Sequence, residues 1–161
     1  MIIRNGLPAD FPRLQDIEVD AGGPFRAYGL DFIADMPPPP LEALQTYLGR
    51  CWVAEDDVVK GYLLADSVGG CAHIAQVSVD QRFRGQRIGQ RLIDHVELWA
   101  RENGLEALTL TTYRHLPWNA PYYARIGFRV IEATPALAPL VEREANIGLD
   151  PADRVCMRRE F

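Results

Sequence analysis

The segment QVSVDQRFRGQRIG, residues Gln76–Gly89, passes from a β-branched run through a basic turn into the beginning of an amphipathic helix. The first backbone N–H groups of a helix are unpaired and carry roughly half a positive charge, so they bind anions. Gly85 can adopt positive φ, and neither Gly85 nor Gly89 has a side chain that would keep a phosphate from the backbone. Three arginines add charge to this turn: Arg82, Arg84 and Arg87. The segment predicts a phosphate-binding strand, turn and helix.

Two common nucleotide-binding signatures are missing from this turn. It does not have the three glycines of the dinucleotide fingerprint, and it does not end in the Lys-Ser/Thr pair of a P-loop. We therefore expect a phosphorylated ligand held by a different fold. The alternative is an ordinary strand-to-helix turn with solvated arginines.

Composition indicates one compact domain covering 1–161, because 161 residues with 48% hydrophobic side chains can bury a sizeable core. The chain has 22 acidic residues against 17 Lys and Arg, with a pI near 5.2, which argues against a nucleic-acid partner. No stretch approaches the roughly 18 apolar residues of a membrane span, and the N-terminus does not resemble a signal peptide. We expect a cytoplasmic protein with no membrane partner.

The three cysteines are odd in number, widely spaced and unaccompanied by a histidine pair at ligand spacing. This pattern argues against a disulfide framework and against a zinc site. Cys51, Cys71 and Cys156 are predicted to be small buried side chains, and no metal is expected.

Apolar periodicity predicts an α+β protein with a central antiparallel meander. The predicted strands are 2–4, 51–55, 59–67, 71–79, 107–112, 128–131 and 154–159. The predicted helices are 8–19, 41–48, 86–103, 120–125 and 136–145. Residues 21–40, with three glycines and the run Pro37–Pro40, are predicted to be irregular, and their aromatic content suggests a packed lid.

Two motifs and the element order resemble the GNAT superfamily of acetyl-CoA-dependent N-acetyltransferases. The pyrophosphate motif of that superfamily (Arg or Gln, two residues, Gly, one residue, Gly or Ala) maps onto Arg84, Arg87 and Gly89. Arg87 departs from the motif, because the superfamily usually has its inner glycine there. The later segment NAPYYARIGF, Asn119–Phe128, is similar to the downstream pattern of the superfamily.

This resemblance implies a single-domain GNAT-like fold: a central mixed, mostly antiparallel sheet of about seven strands flanked by helices, splayed between the fourth and fifth strands. It also implies acetyl-CoA as cosubstrate, with its pantetheine arm paired to the fourth strand and its pyrophosphate over the basic turn. The implied cofactor-binding residues are Val77, Ser78, Val79, Arg84, Gly85, Gln86, Arg87, Ile88, Gly89, Gln90 and Asn119. Asn119 is also expected to cap the following helix.

Two residues are implied to catalyse acetyl transfer by direct attack in a ternary complex. Tyr123 matches the superfamily tyrosine that protonates the leaving thiolate, with Tyr122 as the competing assignment. His73 lies eleven residues before Arg84, where relatives have a base. A structural histidine within a strand is the alternative for His73. Glu18 and Asp20 could attract a cationic amine, although a solvated helix face explains them equally well.

The acceptor is expected to be a primary amine of a small molecule, in a partly apolar pocket. Candidate lining residues are Phe25, Tyr28, Phe32, Trp118 and Tyr122, together with the region 137–150. A protein N-terminus or lysine, a non-catalytic acyl-CoA sensor, and a phosphopeptide or nucleotide module are the alternatives. A homodimer through the C-terminal strands would cover the apolar segment Leu137–Val141.

Overall fold

The computed structural model of the protein describes residues 1–161. Seven strands form one mixed sheet. The strands are β1 (Ile2–Asn5), β2 (Cys51–Glu55), β3 (Val59–Val68), β4 (Cys71–Val79), β5 (Ala107–Tyr113), β6 (Arg129–Ile131) and β7 (Arg154–Glu160). The helices are α1 (Phe11–Gly22), α2 (Asp31–Ala34), α3 (Leu41–Gln45), α4 (Ile88–Glu102), α5 (Ala120–Arg125) and α6 (Ala138–Asn146).

The strands follow the order β1-β2-β3-β4-β5-β7-β6. The pairs β1/β2, β2/β3, β5/β7 and β6/β7 are antiparallel. β4 and β5 are parallel, with Ala72 opposite Leu108 and His73 opposite Thr109. A parallel pair needs a crossover, which α4 supplies. The mixed, mostly antiparallel sheet of seven strands is confirmed, and the splay expected between β4 and β5 stays a prediction.

The chain divides into two compact units. The first consists of Met1–Ala65 and Ala75–His95, and the second of Asp66–Ile74 and Val96–Phe161. The prediction of one domain over 1–161 stays a prediction.

The core of the first unit is built on α1. Its buried side chains Phe11, Leu14 and Ile17 pack in one cluster with Val53 and Tyr62 from β2 and β3. Burying each such apolar side chain contributes about 1.5–3 kcal/mol. The apolar spacing along α1 therefore sets which face of the helix meets the strands.

Helix α4 buries one apolar stripe and ends where the sequence predicts. Ile88, Leu92 and Val96 are buried, and Trp99 is partly buried. Gly104 has φ +72, and the Leu105 N–H donates to the Ala100 carbonyl at 2.9 Å. This is the left-handed C-terminal turn that Asn103-Gly104 predicts.

The second unit is organised by β7, which pairs with β5 from Arg154 to Glu160. Leu137 is 2% exposed in the single chain, so it needs no dimer partner to cover it. The prediction that all three cysteines are free and buried is confirmed.

Residues 21–40 contain more regular structure than predicted. A 3-10 helix covers Gly23–Tyr28, and α2 follows, because Gly29 has φ +74 and allows the reversal between them. Tyr28 and Phe32 are 51% and 42% exposed, so the packing expected of a lid is incomplete. No helix combines the length and the hydropathy needed to cross a membrane.

Candidate active site

Asp80, the residue directly after β4, organises the turn that precedes the basic segment. Its carboxylate accepts the Arg82 backbone N–H at 2.9 Å and forms ion pairs with the guanidinium groups of Arg82 (2.9 Å) and Arg13 (2.8 Å). These hydrogen bonds, that of Arg82 first, hold the pKa of Asp80 well below its usual value. The Arg82 side chain is thus bound to Asp80, whereas the sequence predicted that it would face a phosphate.

The loop between this turn and α4 has two residues with left-handed backbone. φ is +81 at Gly85 and +58 at Arg87, and Arg87 is the chain's one non-glycine residue with positive φ. This conformation costs an L-residue about 1–2 kcal/mol. Arg87 therefore has a glycine-like backbone at the position where the superfamily motif has its inner glycine.

The first turn of α4 presents backbone donors without helical partners. The N–H of Arg91 donates to the Arg87 carbonyl at 3.0 Å, which begins the helical ladder. The N–H groups of Ile88, Gly89 and Gln90 precede it and have no carbonyl to bind one turn earlier. The buried Ile88 side chain anchors this turn in the core. Such an array of amides binds an anionic group.

A hydroxyl–carboxylate network joins α1 to β3 and β4 within the first unit. The Glu18 Oε2 atom accepts hydrogen bonds from the Tyr62 hydroxyl at 2.5 Å and from the Ser78 hydroxyl at 2.7 Å. The Gln76 side-chain amide donates to the Ser78 hydroxyl at 2.9 Å. Burial and the nearby Glu18 charge raise the pKa of Tyr62 well above its usual value, so its hydroxyl remains a donor. Glu18 is therefore held against the sheet through its Oε2 atom, and its side chain is only partly exposed.

Asp20 has a different role from Glu18. Its carboxylate accepts the Gln81 backbone N–H at 2.9 Å, and its backbone carbonyl accepts the Gln81 side-chain amide at 2.8 Å. These contacts join the C-terminal part of α1 to the turn after β4. Asp20 thus stabilises the turn.

Tyr123 lies on α5 in the second unit, and its side chain is buried. Its ring contacts Tyr122 (centroids 5.3 Å apart) and Phe128 (5.8 Å), both edge to face. Burial first, and Tyr122 second, raise the pKa of Tyr123 well above its usual value. Tyr123 therefore stays protonated at neutral pH, as a general acid must.

Asn119 is the residue before α5, but the prediction that its side chain caps this helix is wrong. Its backbone, with φ −107 and ψ −119, lies outside the extended region of an N-cap residue. Its Nδ2 group instead makes a long contact of 3.4 Å with the Trp118 carbonyl, and its Oδ1 atom is buried without a hydrogen-bond partner. A buried acceptor without a donor is costly, which marks this amide for a ligand contact.

His73 lies inside the sheet of the second unit and is 2% exposed. Its Nδ1 atom is 2.9 Å from the Thr109 hydroxyl on the neighbouring β5. Burial lowers the pKa of His73 to about 4. These features are those of a structural histidine within a strand, which was the alternative interpretation. The assignment of His73 as the base stays a prediction.

A cleft of about 230 Å³ lies within the second unit, between α6 and the strands β5 to β7. The Thr111 hydroxyl donates to the Glu144 carboxylate at 2.8 Å, and Arg154 pairs with the same carboxylate at 3.6 Å. The region 137–150, predicted to contribute to the acceptor pocket, supplies Val141, Glu144 and Leu149 to its wall. Its use by an acceptor stays a prediction.

The model of the acetyltransferase (GNAT) family matches residues 16–128, which include Glu18, the basic loop and Tyr123. The chain belongs to the GNAT acetyltransferase family. The family assignment made from the motifs is confirmed.

Solved structures share the fold of this acetyltransferase at low sequence identity. A GNAT-family acetyltransferase from Staphylococcus aureus Mu50 is 18% identical with a TM-score of 0.75, over 99% of this chain and 98% of that one. PaiA N-acetyltransferase from Thermoplasma acidophilum, in complex with coenzyme A, is 17% identical with a TM-score of 0.73, over 99% and 98%. The ribosomal-protein-S18-alanine N-acetyltransferase from Escherichia coli is 16% identical with a TM-score of 0.66, over 99% and 92%. At these identities the likeness shows the fold.

The residues of the GNAT motif fit the pyrophosphate of coenzyme A. The loop combines unpaired amides with exposed arginines, and a Cβ added at Gly85 would meet no atom within 4 Å. Gly85 is thus required for its positive φ and not for space within the protein. Val77 and Val79 are partly exposed, whereas the Ser78 side chain is buried against Glu18, so Ser78 is left with its main chain for a cofactor. No group of His, Cys, Asp or Glu is arranged to hold a metal ion.

Three residues of this region were missed or set aside by sequence reasoning. Glu18 follows Leu14 by four residues, and helical spacing places it at the border of the buried stripe, which is a usable signal. Tyr62 lies in an apolar strand and gives no polar signal. Asp80 precedes the motif directly, where an Asp commonly begins a turn.

Proposed function

We propose that the protein transfers an acetyl group from acetyl-CoA to a primary amine of a small molecule. The observation that carries this proposal is the left-handed backbone at Arg87, φ +58, between Gly85 and the unpaired amides of α4. Backbone strain of this kind persists where the surrounding structure requires it, and it concentrates at ligand sites. The loop keeps its glycine-like conformation without the glycine, as expected if pyrophosphate binding depends on the amides.

Bound acetyl-CoA would supply the thioester whose carbonyl carbon the amine attacks. In the overall reaction an N–C bond forms, the C–S bond breaks, the amine loses one proton, and the sulfur gains one. Tyr123 is the proposed donor of the proton to sulfur. Its raised pKa keeps that proton available at neutral pH, but it makes transfer to a free thiolate, with a pKa near 8.5, uphill. We therefore expect transfer from Tyr123 to accompany C–S cleavage.

At pH 7 the acceptor is mostly an ammonium ion, which must lose one proton before its nitrogen can attack. An alkylamine with a pKa near 10.4 is neutral about once in 2,500 molecules at pH 7, which costs close to 5 kcal/mol. His73, with a pKa of about 4, would accept that proton uphill by roughly 9 kcal/mol. Deprotonation by solvent water before attack is the lower-energy route, and His73 is kept as the base to be tested.

Isothermal titration of the protein with acetyl-CoA, followed by free-thiol release with a panel of primary amines, tests the proposal. Binding with amine-dependent thiol release supports a small-molecule N-acetyltransferase. Binding with release only when peptides are added would move the assignment to a protein N-terminus or lysine. Peptides are included in the panel because one structurally similar protein, from Escherichia coli, is named as a ribosomal-protein-S18-alanine N-acetyltransferase.

Two outcomes would reject the enzyme assignment. Binding of acetyl-CoA without release for any amine or peptide would indicate an acyl-CoA sensor. No binding of acetyl-CoA would overturn the assignment of the Arg84–Gly89 loop as a pyrophosphate site. The reading as a nucleotide or phosphopeptide module would then be tested by titration with those ligands.

A further inference from the structure

Glu18 has one carboxylate oxygen occupied and one available. Oε2 accepts two hydroxyl hydrogen bonds, from Tyr62 and Ser78, whereas Oε1 accepts none from the protein. The side chain is partly exposed, and Oε1 is not among the buried atoms that lack a partner, so solvent reaches it. The two hydroxyls hold the carboxylate in one orientation, with Oε1 open to a ligand.

Glu18 differs from most other buried or partly buried carboxylates of this chain in having no cation beside it, and Asp20, which accepts the Gln81 backbone N–H, is a second exception. Five such carboxylates each form an ion pair with an arginine: Asp10, Glu55, Asp80, Glu97 and Glu144. A carboxylate removed from water is stabilised by an opposite charge, and hydroxyl donors replace only part of that stabilisation. The solvent-accessible Oε1 atom of Glu18 is therefore suited to a cation that the protein does not supply.

The next turn of α1 is covered by the backbone of α2, which belongs to the same unit. Gly22 lies four residues after Glu18, and a Cβ there would be 3.4 Å from the Ile33 carbonyl oxygen and 3.6 Å from the Ala34 Cα. Helix α2 thus packs against the face of α1 that carries Glu18, one turn further along. Phe32, in the same helix, is 42% exposed.

We propose that Glu18 binds an ammonium group of the acceptor, and that the acceptor is a diamine whose other amino group is acetylated. This inference rests on the acetyl transfer proposed above. A carboxylate in contact with an ammonium group favours its charged form, which opposes attack by that same nitrogen. The nitrogen that Glu18 binds and the nitrogen that reacts are therefore different. Tyr62 and Ser78 act as positioning residues for the carboxylate.

Paired ligands of equal size test this recognition directly. Each α,ω-diamine with three to six carbons is compared with the monoamine in which a methyl group replaces one amino group, for example 1,4-diaminobutane with pentylamine. Equilibrium titration measures binding to the protein alone, and thiol release with acetyl-CoA measures KM and kcat. We expect the wild-type protein to bind at least one diamine tenfold or more tightly than its monoamine partner.

Two substitutions on α1 distinguish the loss of the Glu18 carboxylate from the loss of any one negative charge on this helix. Glu18→Gln keeps the size of the side chain and should lower the ratio of diamine to monoamine affinity by about ten- to hundredfold. Asp16→Asn removes the same charge from an exposed position on α1 and should leave the preference intact. Tyr62→Phe, which removes one of the two hydroxyl donors to Glu18, should lower the ratio of diamine to monoamine affinity by about three- to tenfold.

These measurements test the role of Glu18 independently of the proposed acetyl transfer. Equal binding of diamine and monoamine by the wild-type protein, or equal effects of Glu18→Gln and Asp16→Asn, would overturn the role of Glu18. Preferential diamine binding that depends on Glu18, without thiol release, would support the binding site and reject acetyl transfer. If Glu18→Gln does not fold, Tyr62→Phe and Asp16→Asn make the same comparison by titration.

Discussion

Replacing Arg87 with glycine should stabilise the protein while it removes a positive charge from the Arg84–Gly89 loop. This segment, called the cofactor loop below, is the proposed pyrophosphate site. The left-handed backbone at Arg87, φ +58, costs an L-residue about 1–2 kcal/mol, and glycine avoids this cost. Glycine also gains conformational entropy in the unfolded chain, which lowers stability by about 0.4–1 kcal/mol. The expected net change is a gain of about 0.5–1 kcal/mol. For a chain of 161 residues this raises Tm by roughly 1–4 °C.

Arg87→Ala is the matched control, because it removes the same charge but keeps the Cβ atom and the strain. Urea unfolding of the three proteins measures the free energy of unfolding, and titration with acetyl-CoA measures affinity. We expect Arg87→Gly to be more stable than Arg87→Ala by about 1 kcal/mol, the strain less the entropy of glycine. Because amides are the main donors, both variants should retain acetyl-CoA binding, with an equal loss of affinity of up to about tenfold for the guanidinium.

Two results would refute this reasoning. If Arg87→Gly is no more stable than Arg87→Ala, the strain of the left-handed backbone is no larger than the unfolded-state entropy of glycine, about 0.4–1 kcal/mol, and the expected gain is refuted. If both variants lose acetyl-CoA binding completely, the side chain and not the amide array holds the pyrophosphate. A Gly85→Ala variant is a check in the opposite direction, because it introduces the strain at φ +81 and should lower stability by about 0.5–1 kcal/mol, the strain less the entropy of glycine.

Three further predictions concern single residues. Tyr123→Phe should lower kcat tenfold or more with little change in acetyl-CoA affinity, as expected for loss of a general acid; a loss for Tyr122→Phe instead would reassign the role. Gly89→Glu should abolish acetyl-CoA binding in a titration, through bulk and like charge at the amide array, and unchanged affinity would mean that phosphate binds elsewhere. His73 binds a proton more weakly when folded (pKa about 4) than when unfolded (about 6.5), so stability should fall by about 2–3 kcal/mol between pH 7 and pH 4.5. Urea unfolding across this range should show that fall reduced in His73→Gln, and an undiminished fall in this variant would show that His73 is not its source.

The sequence was sufficient for features that depend on local patterns. The basic turn after β4 and the amphipathic stripe of α4 were predicted because glycine, charge and 3.6-residue periodicity act over short distances. The family motif located Tyr123 and the loop in the same way. These local features account for the family assignment.

Features that depend on tertiary contacts were not predictable from the sequence. Tyr62 lies in an apolar strand, and only the packing of α1 on β3 brings its hydroxyl to Glu18. The Asn119 side chain fails to cap α5 because the backbone conformation at this residue, which no motif specifies, turns it away. The glycine-like φ of Arg87 is likewise a property of the folded loop, since arginine has no local preference for it.

The ribosome completes the first compact unit before it completes the second. All residues of the first unit have been made when the ribosome reaches His95, so the Glu18 network and the cofactor loop belong to the part of the chain that is made first. Residues 96–161, which include Tyr123, need roughly 3–13 s more at 5–20 residues per second. Nascent chains arrested just after the last residue of α4 has been added would therefore have every residue of the proposed pyrophosphate loop before the proposed proton donor exists.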